Sequence, residues 1–269
     1  MSDTLCPKKP RNLSRVQPER LARALGSGAE SFCRLAGRHK FTRGATMLYR
    51  LLAGAFLVAS DAAIFTDPSL HVSRPPYYRD PRVHFLGDTA LHAGIARVGT
   101  RLIDELAYDG EDVRKSLLSR IPRNVSVIDL CCGTGTSTAV PGVGVDTSEH
   151  MVREARWRRG RHGRFVVGNA ETYGDPDSFD VATLFFCLHE MPRGARRRVL
   201  QNAHRISKGR VMMLDIGSTY TPSRAMLASE PYLTDYLENI LEDVAPYEPK
   251  IHHVVNDRLL FVEMVSRSP

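Results

Sequence analysis

A chain of 269 residues, 42% hydrophobic and 25% charged, has enough apolar material for a full core; disorder is excluded as the default, and one or two domains fit. The net charge of +7 sits wholly in residues 1–46, where ten Lys/Arg face only Asp3, Glu19 and Glu30, while residues 47–269 carry 27 charges of each sign. A uniformly basic, polyanion-coating body is therefore excluded, and what remains is a basic head on a neutral remainder.

Such a head suits contact with nucleic acid or anionic lipid, an organelle-targeting role, or a solvated extension with no charged partner. The five cysteines (Cys6, Cys33, Cys131, Cys132, Cys187) form no C-x-x-C pair, and their odd number argues against a closed disulfide framework. Reduced thiols, no metal site and an intracellular, cytoplasmic protein are expected, with organelle targeting as the alternative. Residues 47–65 are the most apolar stretch, but Arg50 and Asp61 interrupt it, so no transmembrane segment is expected.

A helix is predicted over 45–65, followed by a proline-broken stretch from Asp67 to Pro81. From Asp88 to Leu106 the residues Leu91, Ile95, Val98, Leu102 and Leu106 recur at helical steps, and a further helix is predicted near 111–121. Beyond Pro122 strands and helices alternate. Strands are predicted at Val125–Cys131, Val143–Asp146, Arg164–Val167, Asp180–Leu188 and Arg210–Ile216, and helices at Ser148–Arg158 and Arg193–Ile206. Near the C-terminus, Asn256-Asp257 sits between two apolar runs and predicts a hairpin. The expected fold is α/β: a doubly wound, mostly parallel seven-stranded sheet with a C-terminal antiparallel hairpin, plus an N-terminal helical lid. Three segments are expected: a basic extension (1–46), a helical lid and substrate region (47–121) and a nucleoside-binding domain (122–269).

The chemistry concentrates in VSVIDLCCGTGTSTAVPGVGVD, residues 125–146. A strand breaks at Gly133-Thr-Gly135, and the next ends on Asp146, where a carboxylate can accept hydrogen bonds from both hydroxyls of a ribose. Thr147 or Ser148 can cap the following helix, bringing Met151 beside Asp146 with a thioether suited to an adenine face. Asn169 and the neighbouring backbone can read an adenine edge. The apolar strand 179–188 then leads into His189-Glu190-Met191-Pro192 at the carboxyl edge, where ligands bind in such sheets.

Taken together, VIDLCCGTG (127–135), GVDTSEHM (144–151), GNAETY (168–173) and SFDVATLFFCLHEMP (178–192) resemble the motifs of the class I (Rossmann-like) S-adenosylmethionine-dependent methyltransferases. The resemblance covers about residues 125–217. It implies S-adenosyl-L-methionine as cofactor, with contacts at Asp129, Cys131, Gly133, Gly135, Asp146, Thr147, Met151, Asn169, Ala170 and Phe186.

Two departures stand out. Cys131 occupies the position of the family's first glycine. Only eight residues, 136–143 with Pro141 among them, lie where the family fits a helix, so a turn or another path is expected there, with one thinly covered sheet face. A dinucleotide dehydrogenase fits worse, because Thr138 replaces the third glycine and Asp146 comes too soon for the ribose acid. No Gly-Lys-Ser/Thr follows the turn, which excludes a P-loop.

Methyl transfer from a sulfonium needs alignment, desolvation and, for an acidic acceptor, a base. His189 and Glu190 are the catalytic candidates; the alternative is that they only fix the strand–helix turn. Asp215 and Tyr220 hold the matching position after the fifth strand. Cys187, within an apolar strand, is a poor nucleophile. The run Arg153–Arg164 reads either as a nucleic-acid surface or as a cationic helix end. Tyr77, Tyr78, Tyr220, Tyr232 and Tyr236 are candidates to line an acceptor pocket. The expected function is methyl transfer to a small or medium-sized organic acceptor. The alternative is an RNA- or protein-binding methyltransferase-like module that uses the basic head with little or no catalysis. The oligomeric state is open.

Overall fold

A computed structural model describes residues 75–79, 88–108 and 110–266. The basic segment 1–46 and the helix expected over 45–65 lie outside the described residues. After a 3-10 turn at Pro76–Arg79 come α1 (Ala90–Ala107) and α2 (Val113–Leu118). The alternating region follows, as β1 (Val127–Leu130), β2 (Val143–Asp146), α3 (Glu149–Arg159), β3 (Arg164–Val167), β4 (Phe179–Phe185), α4 (Arg193–Ile206) and β5 (Ser207–Ile216). Helices α5 (Arg224–Ser229) and α6 (Leu233–Val244) precede the closing strands β6 (Lys250–Val254) and β7 (Leu259–Val265). Among the described residues no helix is long and apolar enough to cross a membrane.

The seven strands run in the order β3-β2-β1-β4-β5-β7-β6. The first five pair in parallel, while β7 pairs antiparallel with both β5 and β6, which is the expected sheet with its C-terminal hairpin. Val211, Met212, Met213 and Leu214 of β5 are all fully buried, as a strand covered on both faces requires. One face packs on α4 and α6 through Val199, Leu200, Ile206, Leu233, Tyr236 and Ile240. The other packs on Tyr108, on Val113 and Leu117 of α2, and on Ala139.

The stretch between β1 and β2 contains no helix; it is a run of turns and bends through a cis Val140–Pro141 peptide. The face left short of a helix is closed by α2 and Ala139, so Val127, Val181 and Met212 beneath it are still buried. The fourth strand ends at Phe185, three residues before its expected end. Phe186 adopts φ +56, which stops the ladder, and a 3-10 turn takes over at Leu188–Glu190. Sequence reading also missed α6, although Leu233, Tyr236, Leu237, Ile240 and Val244 follow helical spacing.

Candidate active site

The carboxyl ends of β1, β2 and β4 open onto a cavity of about 290 Å³. Asp146 stands in its wall. The Gly133 N–H donates to Oδ2 at 2.8 Å, and the Ser148 N–H donates to Oδ1 at 2.9 Å. Each oxygen keeps a lone pair for a further donor. Burial pushes the carboxyl up to about 6, against the two N–H groups that favour its charge. Ser148, rather than Thr147, caps α3, its Oγ accepting from the Met151 N–H at 3.1 Å. The same Oγ donates to Asp88 at 2.5 Å, tying the approach to α1 onto the cap.

The two turn glycines have different jobs. Gly133 has φ +50 and nothing within 4 Å of where a Cβ would stand, so its backbone is open to a ligand. Gly135 has φ +72, and a Cβ there would lie 2.9 Å from the Phe165 ring; it is small so that α3 and β3 can pack. Cys131 keeps a left-handed conformation, φ +64, despite its side chain.

The missing helix is replaced by arginines. Arg159 donates to the Gly135 and Thr136 carbonyls at 2.9 and 3.2 Å, and Arg158 to the Thr136 hydroxyl at 2.8 Å. Arg156 binds the Phe165 carbonyl through two nitrogens. Three arginines of the basic run thus hydrogen-bond within the fold, Arg156 from an exposed position and Arg158 and Arg159 from half-buried ones. From the other side, Asp129 accepts from Thr138 at 2.6 Å and from Thr183 at 3.0 Å, pinning the crossover to β4. Burial pushes Asp129 up to about 7, opposed by these hydroxyls.

Of the ten residues that the resemblance implies as cofactor contacts, Cys131, Gly133, Asp146, Thr147, Met151, Asn169, Ala170 and Phe186 line the cavity. Asp129 and Gly135 do not line it; they stand behind the turn. Asn169 accepts from the Glu171 N–H at 2.9 Å, and Asn202 holds the Ala170 and Tyr173 carbonyls at 2.8 and 3.0 Å, which fixes this loop. Phe186 stacks on Tyr108 and lies beneath the Arg114 guanidinium, 4.0 Å from its ring. Arg114, 6% exposed and paired with Asp104, also lines the cavity, as do His92, Ala96 and Thr100 of α1. These contacts join residues far apart in sequence, and nothing local announced them. Of the five tyrosines, Tyr77 and Tyr78 line the cavity; Tyr236 is fully buried and donates to the Ile216 carbonyl.

At the β4 lip, Asp215 gathers four donors: the N–H groups of Leu188, His189 and Ile216 and, at 2.6 Å, Nδ1 of His189. His189 is 7% exposed and does not line the cavity, whereas Glu190 does. Burial lowers the His189 pKa, but the charge and hydrogen bond of Asp215 override it and bring it up to about 9. Enclosure pushes Glu190 up to about 8, opposed by His189 and reinforced by Glu230. The Cys187 thiol is pushed up by its hydrogen bond with Cys131 and by burial, which leaves it a poor nucleophile.

Residues 127–209 match the family model described as a methyltransferase domain. Among solved structures, the chain is similar to phosphoethanolamine N-methyltransferase 2 of Haemonchus contortus in complex with S-adenosyl-L-methionine, at 15% identity and a TM-score of 0.48, over 58% of this chain and 53% of that one. It is also similar to the magnesium protoporphyrin IX methyltransferase of Synechocystis with bound S-adenosylhomocysteine (14%, 0.42, 58% and 82%). A methyltransferase of Aquifex aeolicus matches at 16% and 0.43, over 57% and 89%. The family model thus marks residues 127–209 as a methyltransferase domain, and the motif segments within it gather at the sheet's carboxyl edge.

Proposed function

We propose that the cavity holds S-adenosylmethionine and that the chain transfers its methyl group, by direct in-line displacement, to a small or medium-sized organic acceptor. The observation that carries this reading is the Asp146 carboxylate, held by the Gly133 and Ser148 N–H groups with a lone pair left on each oxygen. It receives the ribose hydroxyls. Met151 and Thr147 lie against the nucleoside, Asn169 and Ala170 read the adenine edge, and Cys131, Gly133 and Phe186 flank the methionyl arm. Asp129 and Gly135 act through the turn they hold rather than by touching the cofactor.

When bound, the cofactor supplies a methyl carbon already activated by its sulfonium. The chain's own residues then have to align the acceptor and keep water out, because a positioned reaction loses most of its entropic barrier. Residues 47–121 act as the lid and 122–269 as the cofactor domain; the presence of His92, Ala96 and Thr100 on the cavity wall supports this division. Glu190, with His189 oriented behind it by Asp215, handles the reacting end of the acceptor and any proton it sheds. The internal use of Arg156, Arg158 and Arg159 favours a small acceptor over a nucleic acid.

The test is to incubate the full chain with methyl-labelled S-adenosylmethionine and a low-mass metabolite extract. Label is expected in a small organic product and is expected to vanish with Asp146→Ala. Label only in polynucleotide or protein, or none at all, overturns the reading.

A further inference from the structure

The geometry points to a divalent transition-metal site formed by His189, Glu190 and Glu230 at the acceptor end of the cavity. One ligand atom from each of these residues lies within 4.8 Å of the other two. His189 comes from the 3-10 turn after β4 and Glu230 from the end of α5, so the set joins two chain segments that close on the same cavity. Both glutamates are among the residues that line it.

Two features of these side chains favour a cation between them. Oε2 of Glu230 is buried with no hydrogen-bond partner among the described residues. A buried acceptor left unmade is costly, and a native structure normally supplies it with a donor, a water or an ion. His189 is 93% buried, with Nδ1 engaged by Asp215 at 2.6 Å, while Nε2 makes no hydrogen bond among the described residues and faces Glu190 Oε1 across a 4.0 Å ion-pair contact. A carboxylate behind one ring nitrogen and the other turned to the cluster is the arrangement of a metal-ligating histidine, in which the ion takes the place of the proton on Nε2 and that proton is released to solvent.

The donor set selects the ion. One imidazole and two carboxylates suit Mn²⁺, Co²⁺ or Zn²⁺ better than Mg²⁺ or Ca²⁺, which prefer oxygen alone. Ligand distances of about 2.1 Å set ligand atoms roughly 3.0–3.4 Å apart, so side-chain rotation has to draw the three atoms in from separations of up to 4.8 Å. Three protein ligands leave coordination positions open toward the cavity. If the methyl-transfer reading holds, on which this consequence rests, an ion here would bind an acceptor oxygen and lower its pKa, the proton passing to solvent rather than to the ligating Glu190.

The experiment titrates the full chain with Co²⁺, following its visible absorption, and measures S-adenosylhomocysteine binding on the same preparations. One Co²⁺ per chain is expected, with affinity falling at least about tenfold in Glu230→Gln and in Glu190→Gln. Near-UV circular dichroism verifies that each variant is folded, and either folded variant suffices. No binding at millimolar Co²⁺, or unchanged affinity in a folded variant, overturns the site. A chain that binds S-adenosylhomocysteine but no Co²⁺ refutes only this proposal. One that binds Co²⁺ but no S-adenosylhomocysteine refutes only the cofactor assignment.

Discussion

The Gly133 N–H and the Asp146 carboxylate meet at 2.8 Å across a crossover that lacks its helix. The register of β1 and β2 makes this contact: Leu130 pairs with Val145, so the turn after one strand faces the end of the other. What holds the shortened connection in place is side-chain chemistry from α3 and β1, and that chemistry is open to mutation.

Arg159 is the first target. Charge-assisted hydrogen bonds contribute about 1.5–3 kcal/mol each when well formed, and Arg159 is partly solvated. Arg159→Ala is expected to lower stability by about 1–2 kcal/mol in urea unfolding and to weaken cofactor binding, because the Gly135 and Thr136 carbonyls lose their tether. Arg159→Lys should rescue little, since an ammonium cannot match a guanidinium that spans two carbonyls.

The turn glycines should separate stability from binding. Gly135→Ala combines a left-handed φ with a Cβ 2.9 Å from Phe165 and is expected to cost about 2–4 kcal/mol. Gly133→Ala meets open space, so only the backbone term of about 1–2 kcal/mol applies. Its larger effect should appear in cofactor affinity. Paired urea and calorimetric titrations test both.

Asp129 should give stability a pH dependence of unusual sign. Its folded pKa of about 7 lies above the ordinary carboxylate value, so the folded state binds more protons than the unfolded state between about pH 4 and 7. Its contribution is fully present below pH 4 and is lost as pH rises through 7, at up to about 1.4 kcal/mol per unit. Asp129→Asn should flatten that segment of the stability–pH curve. An unchanged slope would show that Asp129 is not the group responsible.

On the opposite face, Asp243 is 3% exposed and accepts from Arg193, Arg196 and Arg197, at 2.9, 2.7 and 2.7 Å. Removing it leaves the fully buried Arg196 short of a counter-charge. Asp243→Ala is expected to cost about 3–5 kcal/mol in chemical unfolding.

Local pattern explains what was legible beforehand. Val143–Asp146, Arg164–Val167 and Arg193–Ile206 fall where periodicity set them, because strand and helix periods are written in neighbouring residues. The absence of a β1–β2 helix was readable from Pro141 and the eight-residue spacing. The substitute was not, since Arg159 lies 24 residues from the carbonyl it binds. Arg114 against Phe186, Asp215 behind His189 and Arg196 against Asp243 were hidden for the same reason: they are products of sheet order, not of spacing. The resemblance implied Asp129 as a cofactor contact, whereas its hydrogen bonds with the buried hydroxyls of Thr138 and Thr183 hold it behind the turn.

The role of Asp146 as the ribose acceptor is tested by calorimetry of S-adenosylmethionine binding to the wild-type chain and to Asp146→Ala. One site per chain is expected in the wild type, with a loss of at least about 2 kcal/mol of binding energy in the variant, the scale of removing a charged hydrogen-bond acceptor from two hydroxyls. Full affinity in a folded Asp146→Ala, or no binding to the wild type, would contradict it.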